Sequence, residues 1–297
     1  MVESADTHGD PTVPNLEVPN LARMYDYYLG GSHNFAVDRA AADRALEAAP
    51  HARTFALANR AFLGRVVRGL VADGIDQFLD LGSGVPTVGN VHEIAQAIDP
   101  RARVAYVDIE PVAVMVATDL LADNPHATVT HADIRDPQAV LAAPGVAGLL
   151  DFDRPVAVLA IALLHALPDA DDPAGVLAAY RDACCPGSYV AVSHLAATTF
   201  SSAEEDVVRE VLDSTPTPVT LRTREQLADM LTGYTILEPG VVLLPDWRPD
   251  DPGGPATTGA DANGYGALAR LPEARPDRVG ASRPHRTGAS RALTGGE

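Results

Sequence analysis

Two glycines and nearby acidic residues have the types and spacing of a nucleotide-binding site. Gly82 and Gly84 follow a short apolar run and precede a helical pattern, so a ligand could approach the backbone and the free N–H groups there. Asp80 precedes this loop, and Asp108 follows 28 residues later, within the range expected for an acid that accepts ribose hydroxyls. A nicotinamide fingerprint needs a third glycine at position 87, where the chain has Thr87, and this weighs against a dinucleotide.

The acids form a series that follows the predicted strands. Asp80, Asp108 and Asp133 come at the ends of the first three strands. Any one of them alone could be a helix N-cap or a solvated turn residue, and the glycine loop alone could be a plain turn. Three acids in series at one sheet edge favour a ligand site over coincidence.

The elements that position these residues alternate between strands and helices. The pattern predicts strands at 77–81, 103–107, 127–131, 156–164 and 189–194, separated by helices at 90–98, 111–122, 138–142 and 172–184. Such alternation predicts an α/β fold with a doubly wound parallel sheet that binds ligands at the carboxyl ends of its strands. Helices are predicted at 20–29, 38–48 and 51–72 before the sheet, and at about 202–213 and 223–231 after it. Residues 235–237 and 241–244 are predicted to be a closing strand pair.

Composition and charge exclude several classes of protein. The chain has 297 residues, 22 Lys and Arg against 40 Asp and Glu, and a net charge of −18, which disfavours nucleic-acid and anionic-membrane partners. It contains no lysine, which excludes a pyridoxal-phosphate Schiff base, a lysine aldolase and a P-loop NTPase. The adjacent Cys184 and Cys185 cannot join distant segments and lack zinc-site spacing. No signal peptide or membrane-spanning run is apparent, and a cytoplasmic location is expected.

Together these motifs resemble those of class I S-adenosylmethionine-dependent methyltransferases. More narrowly, the chain is similar to the bacterial S-adenosyl methyltransferase family, formerly a domain of unknown function. The stretches that carry the resemblance are ARMYDYYLGG at 22–31, NF at 34–35, DR at 38–39, NR at 59–60, QFLDLGSGVPT at 77–87, NVHE at 90–93, VD at 107–108, ADIRDP at 132–137, DFDRPV at 151–156, LH at 164–165 and PGSY at 186–189. They cover about residues 20–270.

The resemblance implies a fold, domains and roles. The fold is a Rossmann-like seven-stranded methyltransferase sheet with an N-terminal helical cap. The domains are a disordered N-terminus at 1–18, the cap at 19–73, an S-adenosylmethionine-binding methyltransferase domain at 74–271 and a disordered tail at 272–297. The implied cofactor-binding residues are Asp80, Gly82, Ser83 and Gly84 for the methionine part, Asp108 and Ile109 for the ribose, and Asp133 and Ile134 for the adenine. Pro86 stands where many class I enzymes have a third glycine.

Polar and aromatic residues concentrate in the predicted cap. Arg23, Tyr28, Gly30 and Asn34 are predicted to bind the cofactor as this segment folds over it, since aromatic faces and polar groups suit a sulfonium ligand. The alternative for the tyrosines is packing against the sheet as core residues.

Histidines follow the later strands, where enzymes of this architecture bind the acceptor. His165 is the candidate catalytic base or acceptor-positioning residue, because imidazole titrates near neutral pH. The alternative is a core histidine or one that contacts the cofactor. His194 is a weaker candidate. No pair of histidines has chelating spacing, so no metal site is predicted.

The predicted function is methyl transfer from S-adenosylmethionine to a small-molecule acceptor. The Asn/Asp-Pro-Pro-aromatic motif of nucleic-acid amino methyltransferases is absent after the fourth strand, which agrees with the charge in disfavouring nucleic acid. Two alternatives are a non-catalytic S-adenosylmethionine-binding sensor and an NAD(P)-dependent reductase. The glycine spacing and the lack of lysine oppose the reductase. The sequence does not determine the oligomeric state, and a homodimer is one possibility.

Overall fold

The computed structural model describes residues 13–48, 50–196, 210–211, 213–251 and 263–273. The strands are β1 Gln77–Leu81, β2 Arg103–Asp108, β3 Ala127–His131, β4 Ala157–Ala160, β5 Tyr189–Leu195, β6 Thr235–Ile236, β7 Val242–Leu243 and β8 Gly264–Arg270. The helices are α1 Leu21–Tyr28, α2 Ala36–Ala48, α3 His51–Ala72, α4 Val91–Gln96, α5 Pro111–Leu121, α6 Pro137–Ala142, α7 Pro144–Ala147, α8 Pro173–Ala183 and α9 Arg224–Met230. No helix in the described ranges is long and apolar enough to cross a membrane.

One mixed sheet organises the molecule. Its order is β3-β2-β1-β4-β5-β8-β6. Strands β1 to β5 are parallel to one another, and β8 is antiparallel to β5. β6 and β7 pair with different parts of β8, so the eight strands occupy seven positions. The prediction of a doubly wound α/β fold is confirmed.

Apolar side chains cover both faces of this sheet. On one face, Phe62, Val66 and Leu70 of α3 pack in a buried cluster with Phe78 of β1. On the other face, Tyr180 of α8 lies in a second cluster with neighbouring side chains of β4 and β5. Because the central strands are covered on both sides, β4 is continuously apolar rather than alternating.

The closing strand differs from the prediction. Residues 235–237 and 241–244 were expected to pair with each other, but β6 and β7 instead pair with β8, which the sequence did not predict. Two glycines in β8 explain why this strand was not predicted. A Cβ atom at Gly264 would lie 2.5 Å from the Phe55 ring, and one at Gly266 would lie 2.8 Å from the Phe62 ring. Close packing of α3 on β8 therefore requires residues that seldom indicate a strand.

The fourth strand is shorter than predicted. β4 ends at Ala160, and Ala162 has a positive φ of 52°, which turns the chain into a 3-10 helix at Leu164–Ala166. The apolar run at 156–164 continues past the strand because this turn is also largely buried.

Several predicted segments fall wholly or partly outside the described residues. They are most of the 202–213 helix, residues 1–12 of the predicted disordered N-terminus and residues 274–297 of the predicted tail. Within the predicted disordered N-terminus, the backbone carbonyls of Asn15 and Val18 accept hydrogen bonds from Arg23.

Candidate active site

A cavity of about 560 Å³ lies at the carboxyl ends of the parallel strands. Residues that end or follow β1, β2, β3, β4 and β5 form its floor, and side chains of α1, α2 and α3 form an opposing wall. Ten predicted site residues line it: Asp80, Gly82, Ser83, Gly84, Asp108, Ile109, Asp133, Ile134, Tyr28 and His165. The predicted residues Arg23, Gly30 and Asn34 are not part of its lining.

The glycine loop needs both glycines, for different reasons. Gly82 and Gly84 have φ angles of 63° and 66°, which other residues rarely adopt. A Cβ atom at Gly82 would lie 2.4 Å from the Leu163 side chain, whereas one at Gly84 would meet nothing within 4 Å. Gly82 is therefore small for packing, while the space beside Gly84 is free for a ligand.

Asp108 braces this loop from the end of β2. Its carboxylate accepts hydrogen bonds from the Gly84 N–H at 2.6 Å and from the Glu110 N–H at 2.8 Å. Burial raises the pKa of Asp108, and these backbone hydrogen bonds oppose the rise. The acid and the glycine loop thus form one rigid unit.

Asp80 and Arg60 place opposite charges in the cavity wall. Burial raises the pKa of Asp80 to about 7, although the positive charge of Arg60 acts in the opposite direction. The Arg60 Nε atom is buried and has no hydrogen-bond partner in the described part of the chain. Together they offer both signs of charge, which suits a zwitterionic group. Arg60 was not among the predicted site residues, although the NR motif at 59–60 contributed to the family resemblance.

Asp133 is engaged by a neighbouring arginine. Arg135 donates to both Asp133 carboxylate oxygens, with the shortest distance 2.6 Å, and also contacts Asp171 at 3.1 Å. Burial tends to raise the pKa of Asp133, but the Arg135 hydrogen bonds outweigh it and the net shift is downward. Among the neighbouring residues, Ile134 is buried and Ile109 is exposed.

Arg23 lies behind the cavity, where it joins the cap to the end of β2. Its guanidinium contacts Asp38 at 2.9 Å and Glu110 at 2.7 Å, and all three side chains are largely buried. Asn20 caps α1 by accepting from Ala22 N–H and donates to Glu110 at 2.7 Å. A buried guanidinium needs such partners, and this explains why Arg23 faces away from the cavity.

Asn34 belongs to a similar network that joins the cap to the glycine loop. The buried Asp26 carboxylate accepts from the Asn34 amide at 2.8 Å and from the Thr87 hydroxyl at 2.6 Å. Gly31 passes so close to Asp26 that a Cβ atom there would clash. Gly30, with a φ of 80°, forms the turn that makes this approach possible.

His165 lines the cavity from the 3-10 helix that follows β4. The side chain is buried, with an exposed fraction of 7%, and its Nδ1 atom has no hydrogen-bond partner among the described residues. Its ring lies edge-on to Phe55 and to His194, with centroids 6.4 and 5.5 Å apart. Burial, with the charges of His194 and Arg222, holds the pKa of His165 well below its usual range.

His194 lies beside His165, makes hydrogen bonds through both ring nitrogens and is not part of the cavity lining. Its Nδ1 atom lies 2.7 Å from the Leu195 carbonyl, and its Nε2 atom lies 3.1 Å from the Arg222 guanidinium. Since a carbonyl only accepts and a guanidinium only donates, both ring nitrogens are satisfied in the neutral form. Burial lowers the pKa of His194 to about 4.

Two further features concern His92 and metal-binding side chains. The Nδ1 atom of His92 lies 2.8 Å from the Tyr106 hydroxyl, and His92 is not part of the cavity lining. Within the described ranges, no group of three His, Cys, Asp or Glu side chains could hold a metal ion.

Comparisons with known proteins agree on one family. A family model described as S-adenosyl methyltransferase matches residues 9–272. A crystal structure of a proposed methyltransferase from Thermobifida fusca has 40% identity and a TM-score of 0.81, and the match covers 86% of this chain and 96% of that one. A DUF574 family protein from Streptomyces avermitilis has 36% identity and a TM-score of 0.82, over 86% of this chain and 99% of that one. No curated protein is significantly similar in sequence.

Proposed function

Since this chain belongs to the S-adenosyl methyltransferase family and is an S-adenosylmethionine-dependent methyltransferase, we propose that its acceptor is a small molecule. One observation carries the proposal: a cavity of about 560 Å³, between the sheet and three helices, is lined by the glycine loop and by His165, whose Nδ1 atom has no hydrogen-bond partner in the described part of the chain. Cavities of this size are typical of small-molecule sites. That the acceptor is not a nucleic acid, that the protein is cytoplasmic and that it forms a homodimer remain predictions.

The residues present suit the cofactor. The free space beside Gly84 lets a ligand reach the backbone, and the unpaired Arg60 Nε provides a donor for a carboxylate. We assign the ribose hydroxyls to Asp108 with Ile109 beside them, and the adenine to Ile134 and Asp133. Asp80 and Arg60 would hold the charged methionine end. When bound, S-adenosylmethionine supplies a methyl group on a positively charged sulfur.

Four cap residues take different roles in this proposal. Tyr28 lines the cavity and is proposed to contact ligand directly. Arg23, Gly30 and Asn34 are proposed to act as positioning residues, because they hold α1 against Glu110 and Thr87 rather than facing the cavity. This assignment replaces the direct cofactor contacts expected from the sequence.

His165 is proposed as the group that holds the acceptor and takes its proton. Burial keeps the imidazole neutral at neutral pH, so a ring nitrogen can accept a hydrogen bond from the acceptor, and the same burial makes it a weaker base than a free histidine. Positioning the nucleophile next to the methyl group does most of the remaining work, because methyl transfer is an in-line displacement.

The test uses methyl-labelled S-adenosylmethionine and the full chain. We expect label to enter small molecules from a mixed metabolite extract, and not oligonucleotides or peptides supplied in parallel. The His165→Leu variant should lower the rate roughly 10²-fold or more, while His126→Leu, a substitution beside the amino end of β3, should not. Label recovered in the oligonucleotides or peptides would contradict the small-molecule acceptor, and cofactor binding without transfer to any fraction would favour the sensor.

A further inference from the structure

We propose that the acceptor is an electrically neutral, largely apolar hydroxy compound whose hydroxyl group bonds to His165 Nδ1 and is methylated on oxygen. This inference rests on the proposed methyl transfer to a small molecule. It adds the chemical class of the acceptor and the atom that receives the methyl group.

The first argument is the distribution of charge in the cavity wall. Its charged side chains among the described residues are Arg60, Asp80, Asp108, Glu110, Asp133, Arg135 and Asp171. All except Arg60 either end or follow β1, β2 or β3 or pair with a residue that does, and Arg60 is attracted to Asp80. The charges are therefore gathered where the cofactor is proposed to bind.

One part of the remaining lining has a different character. We call it the neutral wall, and it comprises Tyr28, Phe55, His165, Leu167, Leu195 and residues 216–219. These described residues include no Asp, Glu, Lys or Arg side chain. A carboxylate or ammonium group buried against this wall would lose its hydration without contacting a counter-ion. Arg222, behind His165, is outside the lining and is already bonded to backbone carbonyls and to Asp169. The wall therefore selects an uncharged molecule.

The second argument is the unpaired nitrogen of His165. A buried polar atom without a partner costs free energy, so a ligand that provides the partner gains affinity there. The backbone on either side is fixed, because Thr220 N–H donates to the His165 carbonyl at 2.7 Å and Arg222 donates to the Leu164 carbonyl at 2.8 Å. The ring is edge-on to Phe55 and to His194, so its position in the wall is fixed.

The third argument is the need for a base. A neutral amine attacks through a free lone pair, whereas a hydroxyl must lose its proton as it attacks. In the proposed step the acceptor oxygen forms a bond to the methyl carbon while the sulfur–methyl bond breaks. The sulfur keeps that electron pair and becomes a neutral thioether, and the hydroxyl proton passes to His165 and then to water. The single unpaired imidazole nitrogen in this wall favours the hydroxyl.

The test compares three probes that share one ring system. 2-Naphthol, 2-naphthoic acid and 2-naphthylamine are titrated calorimetrically into the full chain saturated with S-adenosylhomocysteine, near pH 7.5, where only the acid is charged. We expect 2-naphthol to bind about tenfold or more tightly than 2-naphthoic acid, and more tightly than the amine. His165→Leu should remove most of the advantage of 2-naphthol over the amine and leave S-adenosylhomocysteine affinity unchanged.

A charge added to the wall sharpens the test. Val219 is only partly buried, so Val219→Arg should fold, supply the missing counter-ion and raise the affinity for 2-naphthoic acid. The matched control is Met115→Arg, at an exposed position on α5 away from the cavity lining. Its order of probe affinities should be that of the unsubstituted chain.

The outcomes separate this inference from the proposed function. Equal or tighter binding of 2-naphthoic acid, or no binding of 2-naphthol up to about 1 mM, would overturn the inference while S-adenosylhomocysteine binding left the methyltransferase site standing. Failure of S-adenosylhomocysteine itself to bind would instead remove the premise and overturn both.

Discussion

The two ends of the cavity differ in charge and in how their polar groups are hydrogen-bonded. At the carboxyl ends of β1, β2 and β3, Asp108 and Asp133 are already bonded to backbone N–H groups or to an arginine before any ligand arrives. In the neutral wall, the His165 nitrogen is buried without a partner. The first end is charged, its two acids are already hydrogen-bonded, and Arg60 Nε there is left for the cofactor. The second end is uncharged, and the described residues provide no hydrogen-bond partner for this His165 nitrogen.

This difference predicts which side chains stabilise the fold and which reduce its stability in the absence of ligand. Removing Arg23 should destabilise the fold, because the buried carboxylates of its network are left without their counter-ion. Removing a group whose burial already costs free energy, such as the ionised Asp80 carboxylate or the unpaired His165 atom, should do the reverse. Three substitutions test this contrast, in order of expected size.

The largest effect is expected for Arg23→Met. It leaves the buried Asp38 carboxylate without its guanidinium and cuts the link to Glu110, so the free energy of unfolding should fall by about 3–5 kcal/mol. Urea denaturation measures the change. The control is Arg44→Met, which breaks an exposed ion pair with Glu210 and should change stability by less than about 1 kcal/mol. Equal losses in the two variants would show that the buried Arg23 network stabilises the fold no more than an exposed ion pair does.

Asp80→Asn should have a smaller and pH-dependent effect. The folded-state pKa of Asp80 is about 7, against an ordinary value of 3.8, so between these values the folded chain holds a proton that the unfolded chain has released. The free energy of unfolding therefore falls as pH rises from about 4 to 7. Without cofactor, the variant should melt roughly 5 °C higher at pH 8 and unchanged near pH 4, because only the ionised acid carries the penalty.

Differential scanning calorimetry at the two pH values checks this, with the exposed Asp119→Asn as the control. A variant less stable than the unsubstituted chain at pH 8 would mean that attraction to Arg60 outweighs burial.

The smallest effect is expected for His165→Leu without ligand. Leucine fills a similar apolar space and removes the unpaired Nδ1 atom, so stability should rise by about 1 kcal/mol. Thermal melting at pH 7 measures it. A clear loss of stability would mean that His165 is a structural residue of the core, which was the alternative left open by the sequence.

Local sequence patterns predicted much of the fold. The predicted helices at 51–72 and 111–122 closely match α3 and α5, because both have strong helical patterns and a distinct end. β8 was missed because Gly264 and Gly266 are selected by contact with α3, a tertiary effect that no local pattern records. The turn at Ala162 was missed because an apolar run looks the same whether it continues a strand or leaves it.

In the candidate site, too, features set by local sequence could be predicted and features set by tertiary contacts could not. The glycine loop and Asp108 could be predicted because their spacing reflects one short βα unit and the next strand. Arg23 and Asn34 were predicted to contact the cofactor but lie outside the cavity lining, because a polar residue in a motif suits a buried network as well as a ligand. Which neighbours each side chain meets depends on how α1 packs against the end of β2.

The central claim is that cofactor and acceptor contacts are separated between the two ends of the cavity. It is tested most directly by calorimetric titration of S-adenosylhomocysteine into the unsubstituted chain, Asp108→Ala and His165→Leu, with Asp119→Ala as the control. We predict a loss of roughly 100-fold in affinity for Asp108→Ala and less than about threefold for His165→Leu and the control. Unchanged affinity in Asp108→Ala, or an equal loss in His165→Leu, would contradict the separation.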